Sequence, residues 1–134
     1  MTPSNISHAF YSENVSPSND SKQKDDNGDM NGMSAKLLKS RTVIMSQQVN
    51  SELSAKVLNQ LVLLEQEDPK QGITVFINSP GGEIFSGFAI FDMLKFIECP
   101  ITTVVTGFAA SMGSVLSLAA DEGRRFAMPQ AKIM

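Results

Sequence analysis

The chain holds one cysteine, Cys99, and one histidine, His8. A lone cysteine excludes an internal disulfide framework, so the fold must rest on a packed core and the expected compartment is reducing. Cys99 itself, beside Pro100, reads as a small buried hydrophobe. A large excess of either charge is also lacking: 11 Lys and Arg against 14 Asp and Glu leave a net charge of −3. That balance supplies neither the basic surface nucleic acid requires nor the cationic face a lipid surface requires. No apolar run approaches bilayer-spanning length, and the first residues lack the basic-then-apolar pattern of a secretory signal. A cytoplasmic protein is expected. What is present, 134 residues with 42% hydrophobic content, suffices for one domain with a core.

Residues 1 to 33 differ from the rest. Ser, Asn and Asp dominate, the only aromatics are Phe10 and Tyr11, and Lys22 to Asp29 is nearly all polar. Such a stretch buries too little apolar surface to offset the entropy of ordering it, so a flexible tail is expected, with the domain at 34–134. The acidic excess sits in this tail: Glu13, Asp20, Asp25, Asp26 and Asp29 face only Lys22 and Lys24.

Beyond Leu37 the periodicities become informative. Thr42–Met45 predicts a short strand. Asn50 or Ser51 caps a helix with Glu52 in its first turn, where negative charge suits the dipole. Leu53, Val57, Leu61 and Leu64 recur at helical spacing, widened by Leu58 and Val62, and Pro69 stops the helix near Asp68. Ile73–Asn78 predicts a strand apolar on both faces, hence a covered central position. Ile84–Ile97 predicts a helix apolar nearly all round, buried in the fold or in a subunit interface. Strand 101–106, helix 111–120 and short strands at 125–128 and 131–134 complete the expectation. Alternating strands and helices imply βαβ units and a mainly parallel sheet, whose ligands bind beyond the carboxyl ends of the strands.

Two special turns fall at that edge. Ser111 stands between the 101–106 strand and the following helix, among Ala109, Ala110 and Gly113. The first N–H groups of a helix lack internal partners and carry partial positive charge, and small neighbours let a substrate backbone approach. The arrangement is similar to the nucleophile elbow G-x-S-x-G, with Ala109 in place of the first glycine. The second turn, Ser79-Pro80-Gly81-Gly82, follows the adjacent strand. Its glycines can aim backbone N–H groups at a ligand, and with the N–H of Met112 they would form an oxyanion hole over Ser111.

Those residues also carry a resemblance. Leu37 to Met134 resembles the proteolytic subunit of the ATP-dependent Clp protease (ClpP), a serine peptidase family. The matching text includes Leu37-Leu38-Lys39-Ser40-Arg41 and Leu64-Glu65-Gln66-Glu67-Asp68-Pro69. It continues through Phe76-Ile77-Asn78-Ser79-Pro80-Gly81-Gly82 and Gly107-Phe108-Ala109-Ala110-Ser111-Met112-Gly113. It ends with Gly123-Arg124-Arg125-Phe126-Ala127-Met128-Pro129. The resemblance implies an α/β fold of the ClpP/crotonase type, with repeated βαβ units, a mainly parallel sheet and its carboxy-terminal part missing. Ser111 then corresponds to the nucleophile, and Gly82 and Met112 to the backbone oxyanion donors. Two stacked heptameric rings, an AAA+ unfoldase that uses ATP, and unfolded protein substrates are implied as well. The peptidase itself would need no cofactor or metal. Val62, Phe76, Phe96, Val104, Phe126 and Met128 match the apolar pocket that receives the unfoldase loop, although core packing would equally account for them.

The sequence departs from the family at both ends. Family members continue past the position of Met134 with the catalytic histidine almost at once and the aspartate later. His8 stands in the tail, where nothing holds it within reach of a hydroxyl or orients it as a base. A fragment of a longer product is therefore expected, inactive alone and unable to close the double ring. The alternative is an inactive subunit that co-assembles with a complete paralogue. A crotonase-like acyl-CoA enzyme would share the fold and use carboxylates instead, with Glu83 and Asp92 as the nearby candidates.

Overall fold

The computed structural model describes residues 24–134. The elements run α1 (Lys24–Lys39), β1 (Thr42–Met45), α2 (Ser51–Glu67), β2 (Ile73–Ser79), α3 (Ile84–Phe96), β3 (Ile101–Ala109), α4 (Met112–Ser117), β4 (Arg125–Ala127) and β5 (Lys132–Ile133). Residues 1–23, with His8, Phe10 and Tyr11, lie outside the described residues. Helix α1 begins at Lys24, inside the stretch read from composition as a tail to residue 33. Low hydrophobicity argues against burial along that segment, but a helix needs only an anchor. Leu38 packs against the core, and Lys36 and Lys39 in the last turn complement the dipole.

The sheet has five strands in the order β1-β2-β3-β4, and β5 pairs separately with the far end of β3. Every pairing is parallel, as alternating strands and helices require. Register separates two faces. Met45, Ile77, Val105 and Ala127 stand side by side, and the first three are buried. That face meets Leu53, Val57, Leu61 and Leu64 of α2, Ile90 and Leu94 of α3, and Leu116 of α4 in a single core. Thr103, fully buried on the same face, donates its hydroxyl to the Ser117 carbonyl at 2.7 Å and so ties α4 to the sheet.

The opposite face carries Ile44, Phe76, Val104 and Phe126 in one register row. On this face β2 is half-buried at Thr74 and Phe76 and exposed at Asn78, so the covering expected for β2 is complete on the core face only; Ile44 of β1 and Phe126 of β4 are 46% and 56% exposed. Along α3 the apolar surface divides likewise. Gly87, Ile90 and Leu94 are buried, while Ile84, Phe85, Phe88 and Phe96 stand exposed. Among the described residues no helix is long and apolar enough to cross a membrane.

Helix ends follow their local chemistry. Asn50 caps α2, its side-chain oxygen accepting from the Leu53 N–H at 2.8 Å. The helix closes at Asp68 before Pro69, with the Asp68 N–H on the Leu64 carbonyl at 3.2 Å. Arg41 secures this end from within the fold. Its guanidinium, on a residue 4% exposed, donates to the carbonyls of Leu64, Asp68, Gln71 and Gly72 at 2.9–3.2 Å. A buried charge is tolerable there because fixed carbonyl dipoles take four of the guanidinium's hydrogen bonds and the Cys99 sulfur accepts another at 3.4 Å.

Candidate functional site

β2 and β3 lie side by side and parallel, so the turns that follow them meet at one edge of the sheet. The approach to Ser111 is not the plain strand end expected at Thr106. Strand β3 continues to Ala109 through a bulge, in which Ile77 pairs with Val105 and Ser79 with Ala109. Asn78 alone therefore faces Thr106, Gly107 and Phe108. Gly107 adopts φ 72°, and a Cβ there would stand 2.9 Å from the Asn78 side-chain oxygen, which accepts from the Phe108 N–H at 3.3 Å. Bulges re-aim a strand, and this one frees Phe108 and Ala109 to pair with β5.

Ser111 is the residue on which the chain turns. Its backbone sits at φ 51°, ψ −124°, outside the regions that L-residues ordinarily occupy. Helix α4 consequently starts at Met112, one residue later than expected, and it stops at Ser117 rather than Ala120. The stop comes from tightening, since Leu118 and Ala119 donate three residues back to Val115 and Leu116. Ser111 is exposed while Met112 and Gly113 are buried, so the bend lifts the serine above a packed base. Such a strained serine is held by its surroundings. The Ser111 N–H donates to the Met134 carbonyl at 3.2 Å, and the Ser111 carbonyl accepts the Ser114 hydroxyl at 2.6 Å.

Gly81 packs straight onto this bend. A Cβ on it would lie 2.7 Å from the Ala110 carbonyl oxygen, 2.9 Å from the Met112 nitrogen and 3.0 Å from the Ser111 Cβ. The Gly81 carbonyl accepts from the Val49 N–H at 2.8 Å, and the Val49 carbonyl accepts from the Glu83 N–H at 2.8 Å. Val49 thus forms a parallel bridge to Gly82 from the β1–α2 connection. Among the described residues the N–H groups of Gly82 and Met112 meet no acceptor. Two free N–H groups beside an exposed serine, on either side of a close glycine contact, can receive a negatively charged oxygen.

Other parts of the support were not apparent from the sequence. Gly87 of α3 meets the Met112 side chain so closely that a Cβ would lie 2.1 Å from its Cγ, which plugs Met112 in place. A glycine inside an otherwise apolar helix was the available signal. Val49 offered none, being one more valine in a short loop. Cys99 precedes β3 and so stands at the opposite end of that strand from Ser111. Burial pushes its thiol pKa up, with the Arg41 guanidinium acting against this. The thiol, 3% exposed, stays protonated and unreactive.

The six apolar residues of the expected unfoldase pocket divide in two. Phe76, Val104 and Phe126 are neighbours in register on the less covered sheet face, and the Met128 N–H continues that pairing onto the Val105 carbonyl. Val62 and Phe96 stand on α2 and α3, whose buried sides cover the other face. Glu83 is exposed and accepts the Ser86 hydroxyl at 2.7 Å, and Asp92 is exposed on α3.

An all-parallel α/β sheet whose turns converge on one carboxyl edge is what the ClpP/crotonase type of fold anticipated above requires. A family model described as Clp protease matches residues 24–134, and the chain belongs to that family. It is 54% identical over 99 residues to an ATP-dependent Clp protease proteolytic subunit 1 of Chlamydia muridarum, across 74% of this chain and 52% of that one. It is 42% identical over 100 residues to an ATP-dependent Clp protease proteolytic subunit of Deinococcus radiodurans, across 75% of this chain and 49% of that one. A subunit 1 of Protochlamydia amoebophila is 51% identical over 98 residues, across 73% of this chain and 48% of its own. The chain spans about half the length of the curated relatives it matches.

Proposed function

We propose that this chain supplies the nucleophile and oxyanion hole of the proteolytic subunit of an ATP-dependent Clp-type serine endopeptidase. The observation that carries the reading is Ser111 itself, exposed at φ 51° with Gly81 packed against it and free N–H groups on both sides. Ser111 Oγ attacks the carbonyl carbon of a peptide bond and gives up its proton to a base. The carbonyl oxygen becomes an oxyanion held by the Gly82 and Met112 N–H groups. Collapse expels the amine with that proton and leaves an acyl-Ser111, which water hydrolyses by the same route. The family resemblance puts the base in a histidine soon after position 134. The Met134 carbonyl sits on the Ser111 N–H at 3.2 Å, so residues following 134 in a longer chain emerge beside the serine.

In the same reading the substrates are unfolded proteins, cut to short peptides inside a cytoplasmic ring chamber. Two stacked heptamers form the chamber, a Clp-type AAA+ partner consumes the ATP, and the peptidase uses no cofactor. The apolar row of Phe76, Val104 and Phe126, with Met128, forms part of the partner's docking pocket, whereas Val62 and Phe96 stand on the helical side and do not reach that row within one chain. The acyl-CoA alternative lacks support, because the chain belongs to the Clp protease family and Glu83 is engaged with Ser86. The test is peptide hydrolysis and fluorophosphonate labelling of the full-length protein. Ser111→Ala should abolish both while assembly persists. Hydrolysis surviving the substitution refutes the assignment.

A further inference from the structure

We infer that Ser79 is a positioning residue for the oxyanion hole, acting through the peptide planes of Gly81 and Gly82. The inference rests on the proposed roles of Ser111 and Gly82. Ser79 is fully buried, yet its hydroxyl is used twice: it donates to the Gln47 carbonyl at 2.7 Å and accepts from the Gly81 N–H at 3.1 Å. Its backbone reaches the other turn. The Ser79 carbonyl accepts from the Ala110 N–H at 3.0 Å, and Gly113 packs so tightly there that a Cβ would lie 2.7 Å from that oxygen. One residue therefore joins the β1–α2 connection, the Gly-Gly turn and the serine bend.

Peptide planarity makes this joint consequential. The Gly81 carbonyl and the Gly82 N–H belong to one rigid trans unit, so they point in opposite directions. Holding the Gly81 carbonyl on the Val49 N–H turns the Gly82 N–H away from Val49. The preceding unit ends in the Gly81 N–H, and the Ser79 hydroxyl holds it. Gly81 sits at φ 90°, where glycine is conformationally free and no side chain restrains rotation. Both planes flanking this soft residue are thus restrained by hydrogen bonds, one from Val49 and one from Ser79. Without the hydroxyl, the first plane loses its restraint and the Gly82 N–H is aimed by the Val49 bond alone, across a glycine free to rotate. A donor must point at the oxyanion before the reaction to lower its energy.

The experiment compares wild type, Ser79→Ala, Ser79→Cys and Ser111→Ala in the full-length assembled enzyme. Peptide turnover, affinity for a peptide boronate and hydrogen exchange at the Gly81 amide are measured. Loss of a whole oxyanion donor costs about 10²–10³-fold, so a loosened one in Ser79→Ala should lower kcat by about 10–100-fold. The boronate, which mimics the tetrahedral state, should weaken by a similar factor while KM stays within about twofold. The Gly81 amide should exchange faster. Ser79→Cys, with a weaker hydrogen-bonding group, should lose less, and it carries the test if the alanine variant does not fold. Unchanged kcat and boronate affinity per folded site overturn the inference for Ser79 alone. Activity persisting in Ser111→Ala overturns it together with the proposed nucleophile.

Discussion

Replacing Gly82 by alanine adds one methyl group at the point where the Gly-Gly turn meets the β1–α2 connection. The added Cβ would lie 2.1 Å from the Val49 carbonyl oxygen, 2.9 Å from its carbon and 3.0 Å from its nitrogen. These are backbone atoms, so no rotamer change relieves the contact, and ordinary separation needs a shift of more than an ångström. Gly82 also has φ 153°, where an L-residue is strained. The shift breaks the hydrogen bonds from Val49 N–H to the Gly81 carbonyl and from Glu83 N–H to the Val49 carbonyl. Their loss and the backbone strain together cost about 2–5 kcal/mol of stability. With the Gly82 N–H as the proposed oxyanion donor, a displacement of about an ångström should cost on the order of 10²-fold in rate, the range also seen when a donor is removed. The assay is kcat on a fluorogenic peptide per folded full-length enzyme, alongside denaturant unfolding. Gly123→Ala is the control, because its φ of 84° imposes strain but a Cβ meets nothing within 4 Å. It should leave turnover intact. A Gly82→Ala enzyme with kcat within about threefold of wild type would refute the reasoning, since a displaced donor predicts a far larger loss.

Arg41→Ala leaves the carbonyls of Asp68, Gln71 and Gly72 without their buried donor. It should cost about 3–5 kcal/mol by denaturant unfolding. Arg41→Lys should recover less than half, because an ammonium lacks the planar fork, and a loss below about 1 kcal/mol in Arg41→Ala would contradict the network. Phe126→Ser should reduce unfoldase-dependent protein degradation more than small-peptide cleavage, and equal loss of both would point to damaged packing instead. Cys99 has a raised folded-state pKa, so its contribution to stability is complete below the ordinary thiol range and fades as pH rises through the folded value. Wild type should therefore lose its advantage over Cys99→Ala on going to alkaline pH, and an advantage that grows there would reverse the assigned cause.

Much of the chain's local order follows from its sequence alone. Asn50 and Pro69 bound α2 because a cap and a missing N–H act on immediate neighbours, and the four buried leucine and valine positions follow from helical spacing. Alternating elements imply parallel pairing, which brings the turns after β2 and β3 to one edge without further information. The text around Gly81-Gly82 and Ser111 marked both turns. What the tertiary structure decided is how those turns are held. Ser79 reads as a turn residue, yet its hydroxyl reaches Gln47, 32 positions away. Val49 becomes the strap on Gly82, Gly87 becomes the seat of Met112, and Asn78 fills a bulge opposite Gly107. The row of Ile44, Phe76, Val104 and Phe126 was apolar on inspection, but only register and helix placement left it facing away from the core. The same holds for Arg41, a polar residue next to a strand that the fold buries under the end of α2. The physical reason is range. Caps, prolines and periodicity act within a few residues, whereas these contacts join segments tens of residues apart and exist only once the sheet register and helix packing bring them together.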